Sequence, residues 1–419
     1  MAFKDRFPAL ASRDFLIFFV GQFISLIGTW MQNTTQPYLA YRMTGSSFDL
    51  GLIAFSATLP TLFIALPAGV LIERMDKRTI VIVMQAVEML QAFFLAFLAL
   101  TGRIQIWHLV ALSFVLGSAS AIEITARQAM LIELVGKPAL PNAIALQSTI
   151  FNLARVIGPS LTAVVLVLVK NQGEGWAFFI NGISFLFVIF GLFFVHTPFR
   201  GKKPPQFEQK LDLMGEFRQG WEYIRGNTVV LLIIILVAFL GFIGFPFSNQ
   251  IPALARNVLR GLSDTEALVP ARTGSLYFAQ GVGALIAALV ISAYSTLRHK
   301  GRLMTIGQFV FAASLVLVAF ARTLPVALVL IAILGWATVA QFMMMNTLIQ
   351  IDVPDELRGR VFSVYLWAQQ GVAPFGSLFI GWLAQTAGVP LTAAVCGALC
   401  LLVLIATHAR WPALRQKVV

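Results

Sequence analysis

FDLGLIAFSATLPTLFIALPAGVLIERMDKR, residues 48–78, holds the pattern on which the fold of this chain turns. An apolar run of 25 residues, 48–72, is long enough to cross a hydrocarbon core, which needs about 20. It ends abruptly in Glu73, Arg74, Asp76, Lys77 and Arg78, and a second apolar run begins at Thr79. A span, a short charged loop and another span is the signature of a helical hairpin in a membrane.

Working outward, the pattern recurs along the whole chain. Twelve apolar stretches qualify as spans: 15–41, 48–72, 79–100, 107–126, 143–169, 176–196, 229–251, 273–297, 303–321, 325–351, 361–387 and 389–408. The composition agrees, because only 11% of the 419 residues are charged, against about 25% in soluble proteins. A soluble fold of this size has no means of hiding so much apolar surface. Span 7 runs through Gly241, Gly244 and Pro246, which predicts a bend or a break. Cys396 and Cys400 lie four apart in an apolar run, where they read as two packed thiols.

The net charge of +12 would suggest a nucleic-acid partner in a soluble chain. Its placement excludes that reading. With the N-terminus in the cytoplasm, 22 of the 30 Lys and Arg residues fall on the cytoplasmic side, 7 fall outside, and Arg155 is left within a span. That asymmetry predicts both termini inside. Residues 1–14 are short, charged and followed at once by a full span, unlike a cleaved signal peptide.

The longest loop, 197–228, divides the spans six and six, so the expected organisation is a bundle over 1–196, a cytoplasmic linker over 197–228 and a bundle over 229–419. An amphipathic stretch within the linker, 211–224, is expected to lie along the membrane surface. The halves echo each other. One sequence offset carries Val135 to Val353 and Gly158 to Gly376, and each half has a short basic loop after its second span. Parallel six-helix repeats produce such echoes. The outer loop 252–272 is long for this layout and reads as a solvated loop, with a lid or partner site as the alternative.

Ionisable groups in a span are costly and mark function or a specific partner. Glu123 and Arg127, four apart on span 4, share a helix face. Glu123 has three readings: a proton-carrying carboxylate, a member of an ion-pair relay with Arg74 or Arg78, or a salt bridge at a helix end. Arg155 lies near the middle of span 5, on a stripe with Ser148, Asn152, Pro159 and Thr162. It reads either as a contact for an anionic substrate or coupling carboxylate, or as half of an ion pair with Glu88 or Glu123. Glu88, in span 3 beside Gln85 and Gln91, reads as a cavity group or as polar packing between helices. Span 1 carries the clearest polar stripe, Gln22, Ser25, Thr29, Gln32, Asn33 and Gln36, which reads as a face toward water or substrate or as polar glue between helices. In the second half, Gln280, Gln341, Asn346, Gln369 and Gln370 are weaker candidates, and Trp30, Tyr38, Trp336, Trp367 and Phe375 are candidate aromatic walls.

Gly69-Val-Leu-Ile-Glu73-Arg74-Met-Asp76-Lys77-Arg78 resembles the loop 2–3 signature of the major facilitator superfamily, Gly-x-Leu-x-Asp-Arg-x-Gly-Arg-Arg. Glu73, Asp76 and Lys77 depart from it. The resemblance implies an all-α membrane protein: twelve transmembrane helices in two pseudo-symmetric six-helix bundles, with a cavity lined in part by span 1. It implies that Gly69, Glu73, Arg74, Asp76, Lys77, Arg78 and Arg127 form a gate, and it favours the relay reading of Glu123. The acidic residue of that loop is expected to meet the cytoplasmic start of span 11 near Val361, where the helix dipole attracts a carboxylate.

Two stretches, 15–52 and 131–159, and the run Val353-Pro-Asp-Glu-Leu-Arg-Gly-Arg-Val361 are similar to the enterobactin-exporter-like branch, to which macrolide efflux pumps are related. Ala154-Arg-Val-Ile-Gly-Pro159 looks like a degenerate form of an element of span 5 in exporters. The resemblance implies a monomeric secondary transporter in a bacterial inner membrane, exporting an amphipathic small molecule, siderophore or drug, against a proton gradient. A lipid or lysophospholipid carrier on the same scaffold is the alternative. No metal cluster, phosphate-binding glycine loop or ATP site is legible, so neither a cofactor nor enzymatic chemistry is expected.

Overall fold

The computed structural model describes residues 8–169, 172–197, 199, 213–259, 268–293, 300–412 and 414. Among these the regular structure is entirely helical. In chain order the α-helices are α1 (Arg13–Thr44), α2 (Ser47–Arg74), α3 (Lys77–Leu100), α4 (Ile106–Leu168), α5 (Gly173–Phe193), α6 (Leu213–Gly226), α7 (Thr228–Ile243), α8 (Ile251–Asn257), α9 (Val269–Ala293), α10 (Lys300–Val318), α11 (Leu324–Asp352), α12 (Asp355–Gln370), α13 (Ala373–Ala387) and α14 (Val389–Arg410). A short 3-10 turn, Pro8–Ala11, precedes α1.

Twelve spans emerge once the breaks are understood. As one rod, the 63 residues of α4 would reach about 95 Å at 1.5 Å per residue, three times a bilayer. The helix instead turns at Gly136, whose φ of +71° and ψ of 166° belong to a backbone region that suits glycine, and Pro138 and Pro141 follow. Spans 4 and 5 are its two arms. Span 7 breaks where its glycines and proline predict: α7 stops at Ile243, a 3-10 segment runs over Phe245–Gln250, and α8 resumes at Ile251.

Span 11, expected to be continuous over 361–387, is instead α12 and α13. Pro374 lacks the N–H that would have bonded the Gln370 carbonyl, and the chain bends at Gly371-Val372. The same span starts at Asp355 rather than near Val361. The outer loop is also shorter than expected, because α8 extends to Asn257 and α9 begins at Val269. Residues 260–267 of that loop lie outside the described residues.

The chain divides into two compact units, Met1–Met43 with Ser56–Gln206, and Thr44–Phe55 with Phe207–Val419. Helix α2 thus contributes its first part to the second unit and the remainder to the first. In the second unit that first part crosses α13 closely. A Cβ on Gly51 would lie 2.3 Å from the Ser377 carbonyl oxygen, and one on Gly381 would lie 3.0 Å from the Gly51 Cα. The Ser47 N–H donates to Gln385 Oε1 at 2.7 Å.

Within each unit the echo seen in sequence has a packing counterpart. The offset from Gly158 to Gly376 also relates Gly117 to Gly335. Gly117 sits against the Ala57 carbonyl, and Gly335 against the Gln280 carbonyl, each too close for a Cβ. Gly158 packs on Trp30 and Ile27 of α1, and Gly376 on Phe242 of α7. Equivalent small residues therefore make equivalent crossings in the two halves.

Around the basic loop of the first unit the core is Phe15, Phe18, Ile72, Ile80, Val81, Met130, Leu134, Val188 and Leu192. On α5, Phe187, Phe190 and Phe193 are exposed while Phe185, Val188 and Leu192 are buried, the arrangement of a helix with one face to lipid. The linker helix α6 belongs to the second unit. Its Tyr223 hydroxyl donates to the Asp352 carbonyl at 3.1 Å, and Arg225 lies 5.2 Å from the Trp221 ring centre.

Candidate functional site

The middle of the first unit holds a polar layer built from four helices. Gln32 of α1 donates to Gln91 of α3 at 3.0 Å and accepts from Asn181 of α5 at 2.8 Å. Gln36 donates to the Leu109 carbonyl at 3.2 Å and to Ser113 at 2.5 Å. Gly28 makes this possible. A Cβ there would lie 2.2 Å from Ser184 Oγ and 2.6 Å from Asn181 Oδ1, so only glycine lets α1 and α5 approach closely enough for the amides to meet.

The layer continues into a charged centre. Ser25 donates to Gln85 Oε1 at 3.4 Å, and Gln85 donates to Glu123 Oε1 at 3.3 Å. Arg127 Nε holds both oxygens of Glu123, at 3.0 and 3.3 Å. Ser120 donates to Glu88 Oε1 at 2.6 Å. Glu88 is 5% exposed and Glu123 4% exposed, so both carboxyls are withdrawn from solvent, yet among the described residues only Glu123 of the two has a cation bonded to it.

These bonds place much of the span 1 stripe between helices. Gln22, Ser25, Gln32 and Gln36 are buried, and the last three bond to neighbouring helices rather than presenting free polar groups. Thr29 bonds back to its own Ser25 carbonyl at 3.0 Å, and Asn33 is exposed. A polar stripe marks which face avoids lipid; it does not say whether water or another helix takes that face.

Arg155, on the second arm of α4, pairs with neither glutamate. It is half-buried, and its guanidinium carbon lies 5.5 Å from the Trp30 ring centre. Trp30 in turn meets Phe151 edge-on, with centroids 5.6 Å apart. Among the described residues Arg155 makes no hydrogen bond or ion pair, so its donor fork remains available. Asn152, one turn away, donates to its own Ser148 carbonyl at 2.8 Å.

The charged loop is anchored in several directions. Asp76 caps α3, accepting from the Thr79 N–H at 2.9 Å, which gives the departure from glycine a local purpose. Lys77 Nζ lies 2.7 Å from Glu133 of α4. Arg78 donates to the Val195 carbonyl at 3.1 Å, so among the described contacts it does not reach Glu123. The side chains of Gly69, Glu73 and Arg74 lie outside the described residues. Sequence reasoning missed Glu133, whose spacing from Arg127 hinted at nothing, and also Asp14, whose Oδ2 accepts from the His196 and Thr197 N–H groups at the end of α5.

In the second unit Gln341 is fully buried, and among the described residues neither its amide nitrogen nor its oxygen has a hydrogen-bond partner. Gln280 donates to Ser248 at 2.7 Å, and His408 Nε2 lies 2.8 Å from Gln308 Oε1. Asn346 bonds Gln350 one turn on, Gln369 is half-buried and Gln370 is exposed. Among the described residues no cluster of His, Cys, Asp and Glu is arranged to hold a metal ion.

The chain matches a family described as "Transmembrane secretion effector" over residues 5–417. It is 23% identical to the multidrug efflux pump Tap of Mycolicibacterium fortuitum over 361 residues, covering 85% of each chain. It is also 23% identical to the enterobactin exporter EntS of Shigella boydii over 371 residues, covering 87% of this chain and 84% of that one. In fold it resembles a solved POT family transporter in complex with a thioalcohol-conjugated peptide, with a TM-score of 0.75, 11% identity and 96% of each chain covered. The twelve-span helical architecture, the charged loop and the near full-length family match converge: this chain is a member of the Transmembrane secretion effector family within the major facilitator superfamily, a multi-pass membrane transporter of the branch that includes efflux pumps and the enterobactin exporter.

Proposed function

We propose that the protein is a proton-driven exporter of an amphipathic small molecule bearing an anionic group, working by alternating access. It acts as a monomer in a bacterial inner membrane with both termini in the cytoplasm. The moving bodies are the six-span bundles over 1–196 and 229–419, joined by the linker 197–228.

The observation that carries this reading is Arg155. A mid-span guanidinium, half-buried, stacked near Trp30 and without an anion among the described residues, offers a cation and an aromatic face together. A cation in a span is retained at a cost, and an anionic ligand that completes it gains a charge-assisted hydrogen bond. Guanidinium and indole side by side suit a molecule with an acidic group on a flat apolar body. The names of the relatives, a multidrug efflux pump and an enterobactin exporter, support outward movement of such molecules.

Reconstitution into proteoliposomes tests the reading. Transport of enterobactin, and of a panel of amphipathic acids and bases, is measured with and without an imposed pH gradient. The expected result is gradient-stimulated transport of at least one acid, reduced at least tenfold in Arg155→Ala at normal expression. Indifference to the gradient, or unchanged transport in Arg155→Ala combined with Glu123→Gln, would remove the reading.

A further inference from the structure

We infer that Glu88 is the group that binds and releases the transported proton, while Glu123, held by Arg127, stays ionised as a fixed counter-charge. This rests on the proton-driven reading above and assigns its carrier.

The argument is one of charge balance inside the first unit. Gln85, Glu88 and Gln91 lie three apart on one face of α3. From α4, the charged groups that interact with Glu88 are Glu123 and Arg127, and Ser120 donates to it. The side chains that α1 and α5 bring into this layer, Ser25, Gln32 and Asn181, are neutral. Two buried carboxyls therefore share one guanidinium, and its Nε is already directed at both oxygens of Glu123. An ionised Glu88 would place an uncompensated charge in a water-poor layer, whereas the neutral acid needs only the hydrogen bonds a hydroxyl and its neighbours supply. Glu123, closer to the charged end of its span, already has the Arg127 guanidinium bonded to both of its oxygens.

Release of the proton follows directly. The O–H bond of the Glu88 carboxyl breaks, its electron pair stays on the carboxylate, and the proton passes to water on the side then open. Two carboxylates then compete for Arg127, and the seam between α3 and α4 loses its balance until a proton returns. Ser120, 2.6 Å from Glu88 Oε1, is placed to steady whichever form is present. Glu88 thus acts as a two-state element, and the Glu123–Arg127 pair is what makes its two states unequal.

Infrared difference spectra of the full-length protein in lipid nanodiscs test the assignment without a substrate. Stepping from mildly acidic to alkaline pH should remove a protonated-carboxyl stretching band in the wild type. That band should be absent from Glu88→Gln and shifted in Glu88→Asp, and in Glu123→Gln, where Arg127 is released to Glu88, it should disappear at a lower pH than in the wild type. In proteoliposomes, Glu88→Gln should lose at least tenfold of the pH-gradient stimulation of enterobactin transport while still exchanging enterobactin at equal pH. Survival of the band in Glu88→Gln, or an unchanged pH dependence of the band in Glu123→Gln, overturns the assignment. Gradient stimulation that persists in Glu88→Gln overturns it while leaving proton drive intact. A wild type that ignores the gradient overturns both.

Discussion

Arg155 and Trp30, on different helices of the first unit, hold guanidinium and indole 5.5 Å apart, and this contact takes the place of the ion pair that a mid-span arginine would be expected to seek. A cation over an aromatic face gains about 0.5–2 kcal/mol. That is less than a buried carboxylate partner would give, so the guanidinium is oriented without being neutralised.

Removing the ring should therefore weaken substrate binding without abolishing it. Trp30→Leu is expected to raise the apparent Km for transport by about two- to thirtyfold, the equivalent of 0.5–2 kcal/mol. Arg155→Lys keeps the charge but loses the planar fork, and should fall between wild type and Arg155→Ala. Initial-rate transport assays on the three variants give the order, and an Arg155→Lys indistinguishable from wild type would contradict it.

Lys77 and Glu133 form an ion pair with side-chain exposures of 9% and 27%. Leaving one partner of a buried pair alone costs about 3–5 kcal/mol, reduced here to about 1–3 kcal/mol by the partial exposure of Glu133. Lys77→Ala should lower the thermal unfolding midpoint in detergent. Adding Glu133→Ala should restore part of the loss, giving a measurable coupling in the double-mutant cycle.

The α2–α13 crossing tolerates no side chain at its centre. Gly51→Val would drive atoms into the Ser377 carbonyl, which a Cβ already approaches to 2.3 Å. Overpacking of this kind costs about 1–3 kcal/mol. The expected result is a lower unfolding midpoint and increased labelling of a cysteine placed at Ser47, whose N–H bond to Gln385 depends on the close approach. Gly45→Ala, with nothing within 4 Å of the added carbon but a φ of +63°, should be milder and report backbone strain alone.

Gln341 buries both ends of its amide without a partner. Each unmet group costs about 1–3 kcal/mol, so an apolar side chain of similar size relieves the penalty. Gln341→Leu is expected to raise the unfolding midpoint. A lowered midpoint would mean that the amide is engaged in a way this packing does not express.

Much of the fold was legible because a membrane simplifies the problem. Backbone groups in hydrocarbon must bond within their own segment, so a sufficiently long apolar run becomes a helix whatever surrounds it. The twelve spans could be read for that reason, and Gly244 and Pro246 marked the break in span 7. The break in span 11 follows from Gly371 and Pro374, which sit beside the polar pair Gln369-Gln370 and carry the same glycine–proline signal as Gly244 and Pro246 in span 7.

The site was legible only as a set of candidate side chains. Glu123, Arg127, Glu88 and Arg155 stood out because charge in a span is rare, and spacing alone put Glu123 within reach of Arg127. Everything else depended on how helices rotate and cross. That Gln32 meets Asn181 across 149 positions, that Lys77 meets Glu133, that Arg155 finds Trp30 and not a carboxylate, and that Glu88 is left without a cation were decided by tertiary contacts such as the one at Gly28. The sequence by itself determined which segments span the membrane and which face of each avoids lipid, since both follow from local hydrophobicity. Only the tertiary structure decided which polar groups satisfy one another and which remain open to a ligand or a proton, since a hydrogen bond is settled at a few ångströms and helix packing sets that distance.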